Sequence, residues 1–263
     1  MAEARLLEQV KGLGDVYSVE APFDEQLLTL NERGIRYPIS IRDASYLRLY
    51  GQNKGGMRTC HAPILAKNSP VIIARISPLV KDIKMVRQAV NAHRKGEFPS
   101  FSVELYSQWN DIAEKDKSKK PENRRAIILS ERGDYKVHRD SDEVRFFWQS
   151  AREKYFARFA PEGSIQVYQI APITVDSQNG TIINYTWFDS LEDGSGLSFG
   201  DRDLDGGDRT FGVLKKTSEA GSRSGKASLP YTIRQIEREI RRLSGLEAEL
   251  ACSRAFLESL RKK

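Results

Sequence analysis

The apolar residues of this 263-residue chain occur in short runs separated by Gly, Pro and charged residues. None of these runs approaches the roughly 18 residues that a membrane-spanning helix needs. Acidic and basic side chains also interrupt the opening segment MAEARLLEQVKG, where a signal peptide has an apolar centre. We therefore expect a cytoplasmic protein without a membrane partner, built from short strands and helices in one or two domains.

Segments that alternate like strands are interspersed with segments of helical period, which predicts an α+β fold with a mixed sheet and flanking helices over residues 1–216. The predicted helices span residues 2–12, 24–33, 42–49, 79–94 and 142–159. The predicted strands span residues 15–20, 62–66, 71–76, 101–105 and 211–214, and two predicted hairpins pair 126–129 with 135–138 and 165–175 with 181–188.

The C-terminal part of the chain has a different character. Residues 217–230 are rich in Ser, Gly and Ala, a composition typical of a flexible linker. In residues 231–263, an apolar side chain recurs every seven residues from Ile236 to Leu257. This spacing predicts a C-terminal amphipathic helix, which would dock on a helix of this chain, of a protein partner or of a second copy.

Positive charge is concentrated in residues 31–95, called the basic block below. This block contains thirteen Lys and Arg residues against three acidic residues, whereas the whole chain has a net charge of +6. Such a concentration attracts polyanions, because the field of many like charges extends beyond contact distance. The alternative is a solvated face, or arginines that pair with acids elsewhere in the fold.

Tyrosines interleave with the cations of the basic block, and this is the mixture that phosphate contacts and base stacking require. The predicted nucleic-acid-binding residues are Arg36, Arg42, Arg48, Tyr50, Lys54, Arg58 and Lys67. If all six cations contacted phosphates, the logarithm of affinity would fall with the logarithm of salt with a slope of about −4 to −5. We therefore predict a DNA- or RNA-binding protein, without catalytic activity, that serves as a subunit of a larger assembly.

The glycine-rich segment from Gly51 to Gly56 has the spacing of a Walker phosphate loop. Met57 and Arg58 nevertheless occupy the positions where that loop has Lys and Ser or Thr, so nucleotide hydrolysis is not predicted. A backbone site for a single phosphate and a simple turn between two elements are both compatible with the glycines.

The predicted helix 142–159 is a second candidate, because it combines many aromatic residues with several cations. Val144, Phe147, Trp148 and Tyr155 share one face. The remaining rings lie beside the cations Arg145, Arg152, Lys154 and Arg158. We interpret the segment as a helix buried on two sides of a larger domain.

A third candidate is an acidic loop in which Asp201, Asp203 and Asp205 precede Gly206. These positions match the start of a calcium loop, but Gly212 stands where the bidentate Glu is needed. An acidic surface loop is therefore favoured, with Ca²⁺ or Mg²⁺ binding as the alternative, and no other cofactor is expected.

Two further functions stay open. A metal-dependent nuclease needs converging carboxylates, and Asp82 with Glu104 is the best pair available, although its spacing matches no known motif. A structural or adaptor protein would use the basic block to bind an acidic protein. Cys60 and Cys252 form no Cys-x-x-Cys motif, so neither a metal nor a redox site is predicted from cysteine.

Overall fold

The computed structural model of the protein describes residues 2–192, 196–199, 204 and 209–214. The chain divides into two units, Met1–Lys216 and Thr217–Lys263, and every described residue belongs to the first. The predicted linker 217–230 and the predicted helix 231–263 lie outside the described residues. The acidic triad Asp201, Asp203 and Asp205 lies outside them as well.

The described part combines short strands with helices of five to fourteen residues. The strands are β1 (Arg5–Val10), β2 (Gly14–Glu20), β3 (Met57–Arg58), β4 (Ala62–Leu65), β5 (Ile72–Ala74), β6 (Ser100–Phe101), β7 (Ala126–Ile128), β8 (Tyr135–His138), β9 (Ser164–Tyr168), β10 (Thr181–Ile183), β11 (Trp187–Phe188), β12 (Leu197–Ser198) and β13 (Arg209–Leu214). The helices are α1 (Phe23–Glu32), α2 (Ile41–Tyr50), α3 (Ile83–Arg94), α4 (Val103–Asp116), α5 (Asp142–Trp148), α6 (Arg152–Phe159) and α7 (Pro172–Asp176).

The strands form two sheets. An eight-stranded sheet has the order β1-β2-β13-β3-β11-β12-β9-β8, and a five-stranded sheet has the order β6-β10-β4-β5-β7. The larger sheet is mixed, because β13 runs parallel to β3 and β12 runs parallel to β9. The predicted α+β fold with a mixed sheet and flanking helices is therefore confirmed. Among the helices of the described residues, none has the length and apolar character needed to cross a bilayer.

The helices α2, α5 and α6 pack together around large side chains. Leu47 of α2, Trp148 of α5 and Tyr155 of α6 are each completely buried, and Phe188 of β11 lies beneath them with no exposed surface. Each such side chain stabilises the fold by about 1.5–3 kcal/mol relative to an exposed position. This shared core fixes α2 and α6, the two helices that carry the candidate site described below.

The ends of α2 are set by local sequence. Ser40 caps its N-terminus, where the Ser40 hydroxyl accepts a 3.1 Å hydrogen bond from the Asp43 amide. Gly51 ends it, and a Cβ atom at Gly51 would lie 2.6 Å from the Leu47 carbonyl oxygen and 2.7 Å from the Glu8 carboxylate. The helix predicted at 42–49 is confirmed, as are the helix at 24–33 and the strands at 62–66 and 71–76.

The predicted N-terminal helix 2–12 is wrong, because this segment forms β1. The glycines that follow it, Gly12 and Gly14, have φ values of 81° and 118°, which allow a tight turn into β2. Antiparallel pairing from Arg5 to Val10 against β2 then replaces the local helical pattern.

Both predicted hairpins are wrong, because their strands pair with distant partners. β7 pairs with β5 whereas β8 pairs with β9, and β9 and β10 lie in different sheets. The strand predicted at 101–105 gives way after Phe101 to α4, which is capped by Ser102. The helix predicted at 142–159 is broken into α5 and α6 by a short 3₁₀ turn, Gln149–Ala151.

Candidate functional site

The polar residues of α2 lie on two opposite faces of the helix. Arg42, Tyr46 and Tyr50 follow one another at intervals of four residues and therefore lie along one face of the helix. Tyr50 is exposed, whereas Arg48 is buried with 3% of its surface exposed. The predicted binding residues of this helix thus divide into an outer and an inner set.

Arg48 connects the helix to the interior. Its guanidinium donates to the Tyr155 hydroxyl at 2.8 Å, to the Gly55 and Phe188 carbonyl oxygens at 3.1 Å, and to the Asp189 carbonyl oxygen. It also lies 3.7 Å from the centre of the Phe188 ring. A phosphate cannot reach a guanidinium in this position, so we correct the prediction and assign Arg48 a structural role.

Arg58 is buried as well, with 1% of its surface exposed. Its guanidinium donates to the Gln26 side-chain oxygen at 3.1 Å and lies 5.7 Å from the Phe23 ring centre. The prediction that Arg58 binds nucleic acid is corrected for the same reason. The sequence shows that Arg48 and Arg58 are charged, but it does not show that α2 and β3 direct their side chains into the interior.

The rings of Tyr46 and Tyr50 stack on the outer face of α2, with centroids 5.9 Å apart and planes 15° apart. Half of the Tyr50 surface is exposed. The hydroxyl of Tyr46 donates to the Ser150 hydroxyl at 3.2 Å, which connects the pair to the segment between α5 and α6. Two parallel rings are thus held at the surface in a fixed geometry.

Two cations of α6 complete this surface. Lys154 donates a 2.9 Å hydrogen bond to the Tyr50 hydroxyl and lies 5.6 Å from the centre of its ring. That hydrogen bond raises the pKa of Lys154, so the ammonium group stays charged. Arg158 donates to the Leu49 carbonyl at 2.9 Å, at the C-terminal end of α2. Together with Arg42, Tyr46 and Tyr50, these two cations form what we call the tyrosine ridge.

The second candidate helix of the sequence therefore contributes its cations to the first candidate site. Lys154 and Tyr50 are separated by 104 positions in the chain, so no local pattern could connect them. The only signal in the sequence is the excess of cations beside the aromatic residues of 142–159. The large rings of this segment are buried, as interpreted, while Lys154 and Arg158 stay exposed.

A cleft of about 500 Å³ opens at the N-terminal end of α2, and we call it the α2 cleft. Its lining comprises residues 34–40, Arg42, Asp43, Cys60, His61, Arg75, Ile76, Gln149, Val213 and Leu214. Arg42 belongs both to the cleft and to the tyrosine ridge, and Gln149 of the cleft directly precedes Ser150, which contacts Tyr46. The cleft and the ridge are therefore adjacent.

Three arginines of the α2 cleft have different surroundings. Arg36 is exposed and lies 5.1 Å from the centre of the Tyr37 ring. Arg42 forms a 2.6 Å ion pair with Asp43. Arg75 is partly buried and donates to the carbonyl oxygens of residues 121, 124 and 146 at 2.9, 2.6 and 3.1 Å.

Cys60 and His61 lie at the floor of the α2 cleft, both buried. Burial, reinforced by the negative charge of Asp43, raises the pKa of the Cys60 thiol to about 12, and the thiol donates to the Arg75 carbonyl. Burial also lowers the pKa of His61 to about 3. At neutral pH the cleft thus contains a protonated thiol and a neutral imidazole, and neither is an activated nucleophile.

The glycine-rich segment uses its backbone amides internally. The Gln52 amide donates to the Glu8 carboxylate at 3.1 Å, and the Gly55 amide donates to the Asn53 side-chain oxygen at 3.2 Å. These oxygens occupy two of the amide donors that a phosphate would need. Lys54 is exposed on this segment.

Lys67 is exposed in the turn between β4 and β5. Its neighbour Asn68 donates a backbone hydrogen bond to Asp176, which also pairs with Arg132 at 2.8 Å. Lys67 thus belongs to a different cluster from the tyrosine ridge, at the far end of the β4–β5 hairpin.

The carboxylates considered for a nuclease lie at the N-terminal ends of two different helices in this structure. Asp82 caps the N-terminus of α3, and Glu104 lies in the first turn of α4, where it accepts a hydrogen bond from Ser102. Within the described ranges, no group of three or more His, Cys, Asp or Glu side chains is placed to hold a metal ion.

No family model matches the sequence, and no curated protein matches it. A solved structure from a study of how the C-type lectin fold accommodates massive sequence variation in Nanoarchaeota is similar in fold. The similarity has a TM-score of 0.51 and 8% sequence identity, and it covers 81% of this chain and 98% of the other. The chain therefore has a C-type lectin-like α+β fold. At this identity the likeness concerns the fold alone.

Proposed function

We propose that this protein binds single-stranded nucleic acid along the tyrosine ridge. The observation that carries the proposal is the stacked pair of the half-buried Tyr46 and the exposed Tyr50, with Arg42 one helical turn before the pair and Lys154 and Arg158 at its other end. Exposed rings accept bases that are not stacked in a duplex, and the neighbouring cations neutralise the phosphates between them.

The dimensions of the ridge suit a short stretch of one strand. Eight residues separate Arg42 from Tyr50, which corresponds to about 12 Å along a helix axis. This is about three base steps at the spacing of roughly 3.4 Å along one strand. Lys154 and Arg158 then extend the path of positive charge beyond the C-terminal end of α2.

Two energetic terms support binding. Stacking of a base on an aromatic side chain contributes about 1–3 kcal/mol, so two tyrosines supply a substantial part of the affinity. The ridge and its adjoining cleft offer the exposed cations Arg36, Lys154 and Arg158 and the partly buried Arg42, whose side chain is 30% exposed beside Asp43. Four contacts give an expected salt slope of about −3 for a single strand, which is shallower than the slope expected from six.

The proposal concerns binding without catalysis, within a larger assembly. Cys60 is protonated and His61 is buried and neutral, so the groups beside the ridge are not prepared for acid–base or nucleophilic work. The nuclease and the adaptor are alternatives that the same experiment separates.

The test is fluorescence anisotropy of the full chain with labelled single-stranded DNA and RNA over a salt series, with and without Mg²⁺. We compare wild type with the double variant Tyr46→Ala/Tyr50→Ala and with Tyr168→Ala, since Tyr168 is a similarly exposed tyrosine on β9. We also compare Lys154→Glu with Lys84→Glu, an exposed lysine on α3.

We expect the tyrosine double variant and Lys154→Glu to weaken binding by about tenfold or more. The Tyr168 and Lys84 variants should stay within about twofold of wild type. Equal loss in both sets would show that binding is not located on the ridge. Shortened strands in the presence of Mg²⁺ would favour the nuclease, and absence of binding at low salt would favour the adaptor.

A further inference from the structure

We propose that the α2 cleft binds a terminal phosphate group, so that the protein recognises the end of a nucleic-acid strand. This inference rests on the proposed function, because the strand whose end enters the cleft is the one that lies on the tyrosine ridge. The shared residue Arg42 places the two surfaces in continuity.

The first argument is an arginine without a counter-charge. Arg75 hydrogen-bonds to three carbonyl oxygens, and no carboxylate of the described residues forms an ion pair with it. Glu122 acts on it only from a longer distance, while Arg42 repels it. Burial, together with this repulsion, lowers the pKa of Arg75 to about 10. An anion bound in the cleft would favour the charged form of Arg75 and so offset both the cost of burial and the repulsion by Arg42.

The second argument is the balance of charge around the opening. The lining residues include the three arginines Arg36, Arg42 and Arg75 and the single acidic residue Asp43. The N-terminus of α2 also lies at the cleft, with Ser40 as its cap, and adds the positive end of a ten-residue helix. Guanidinium groups and a helix N-terminus are the donors that phosphate oxygens accept from most readily.

The charge of the cleft favours a strand end over a phosphate within a strand. The lining has three arginines against one acidic residue, which suits a group that carries more than one negative charge. A terminal phosphate carries close to two negative charges at neutral pH, whereas a phosphate within a strand carries one. The volume of about 500 Å³ exceeds that of a phosphate alone, and Tyr37, Ile76 and Val213 offer contacts for the attached nucleotide.

The test compares one oligonucleotide sequence in three forms, with a 5′-phosphate, with a 3′-phosphate and with hydroxyl groups at both ends. The readout is the affinity for each phosphorylated form divided by the affinity for the hydroxyl form. Contacts between the strand and the ridge contribute equally to both affinities and therefore do not change this ratio. We expect one phosphorylated form to bind about tenfold more tightly to wild type.

The cleft variant is Arg36→Gln/Arg42→Gln, which removes two charges from the lining and leaves the partly buried Arg75 in place. Its matched control is Lys54→Gln/Lys67→Gln, which removes two exposed charges elsewhere in the basic block. We expect the ratio to fall to about one in the cleft variant and to stay unchanged in the control. Inorganic phosphate, titrated at constant ionic strength, should compete with the phosphorylated strand and not with the hydroxyl strand.

The two proposals fail in different ways. A ratio of one in wild type, with binding that still depends on Tyr46 and Tyr50, would overturn the terminal-phosphate site and leave the ridge. A ratio above one that survives in Arg36→Gln/Arg42→Gln would also overturn the site. A third outcome would support the cleft and overturn the ridge. In it, inorganic phosphate competes with the phosphorylated strand in wild type but not in the cleft variant, and binding does not depend on Tyr46 and Tyr50.

Discussion

The guanidinium of Arg48 donates a 2.8 Å hydrogen bond to the hydroxyl of Tyr155, and this buried contact joins α2 to α6. The outer face of α2 carries Tyr46 and Tyr50, and α6 carries Lys154. The interior contact therefore helps to hold the aromatic and the cationic halves of the tyrosine ridge at a fixed separation. Arg48 supports the candidate site from the inside while having no access to its ligand.

We predict that Arg48→Met lowers the free energy of unfolding by at least about 3 kcal/mol. The substitution removes the hydrogen bonds that Arg48 donates to carbonyl oxygens and to the Tyr155 hydroxyl in the interior, and each such loss costs about 1–3 kcal/mol. Urea unfolding followed by circular dichroism measures the effect. Arg42→Met, on the outer face of the same helix, should cost less than about 1 kcal/mol. Equal costs for the two variants would contradict the structural role of Arg48.

We predict that Tyr50→Phe weakens nucleic-acid binding less than Tyr50→Ala. The phenylalanine keeps the ring that stacks beside Tyr46 and loses only the hydroxyl that accepts from Lys154. Stacking contributes about 1–3 kcal/mol per base, so Ala should cost about tenfold in affinity and Phe about twofold. Anisotropy at one salt concentration provides the comparison. If Phe were as damaging as Ala, the orientation of Lys154 would matter more than stacking.

The sequence predicted those parts of the fold that depend on neighbouring residues. The helix α2 has its own cap at Ser40 and its own stop at Gly51, and β4 and β5 are consecutive strands joined by a short turn. Pairing between distant strands was not predictable, because β7, β8, β9 and β10 each have a partner that their own residues do not specify. The N-terminal segment shows the same limit, since pairing with β2 overrides its helical spacing.

The candidate site was predicted in part for a related reason. Composition located the basic block and placed Arg36, Arg42 and Tyr50 in it, and all three belong to the ridge or its cleft. The direction of a side chain depends on packing, so the inward turn of Arg48 and Arg58 was not visible in the charge pattern. Nothing in the sequence indicates that Arg75 donates to three carbonyl oxygens and, among the described residues, forms no ion pair with a carboxylate.

We predict that His61 makes the protein less stable in mild acid. The pKa of His61 in the folded protein is about 3, below the usual value of 6.5. Between these two values the imidazole is protonated in the unfolded state but stays neutral in the folded state. Stability is therefore complete above about pH 6.5 and falls by about 1.4 kcal/mol for each pH unit below it, until the folded pKa is reached. Urea unfolding between pH 7.5 and 4.5 should show this slope in wild type. His61→Phe should flatten it, and His138→Gln, at an exposed position, should not.

We predict that Asp116→Asn lowers the free energy of unfolding by about 2 kcal/mol at neutral pH. The Asp116 side chain is 1% exposed and accepts hydrogen bonds from the Arg125 backbone and side chain and from Lys119. These bonds, above all those from Arg125, hold the pKa of Asp116 well below its usual value. The stabilisation is therefore present above about pH 4 and is lost as the pH falls further.

The difference in unfolding free energy between wild type and Asp116→Asn should accordingly shrink as the pH is lowered from about 4 to 2. Asp111→Asn removes an exposed carboxylate from the same helix and should change stability by less than about 0.5 kcal/mol. A difference that did not depend on pH would assign the loss to side-chain packing instead of the charge.

The turn at Gln149 stores strain beside the α2 cleft. Its φ of 49° and ψ of −123° lie in a region that suits glycine and costs other residues about 1–3 kcal/mol. We predict that Gln149→Gly raises the free energy of unfolding by about 1 kcal/mol, which corresponds to about 2–4 °C in Tm. The control Gln149→Ala should give no gain in stability, because alanine keeps the Cβ atom. Gln149 also lines the cleft, so the freer glycine turn should lower the preference for a phosphorylated strand end. Stability and end preference should therefore change in opposite directions, as they do where strain positions a binding site. A glycine variant that is no more stable than the alanine variant would show that the backbone at Gln149 is not strained.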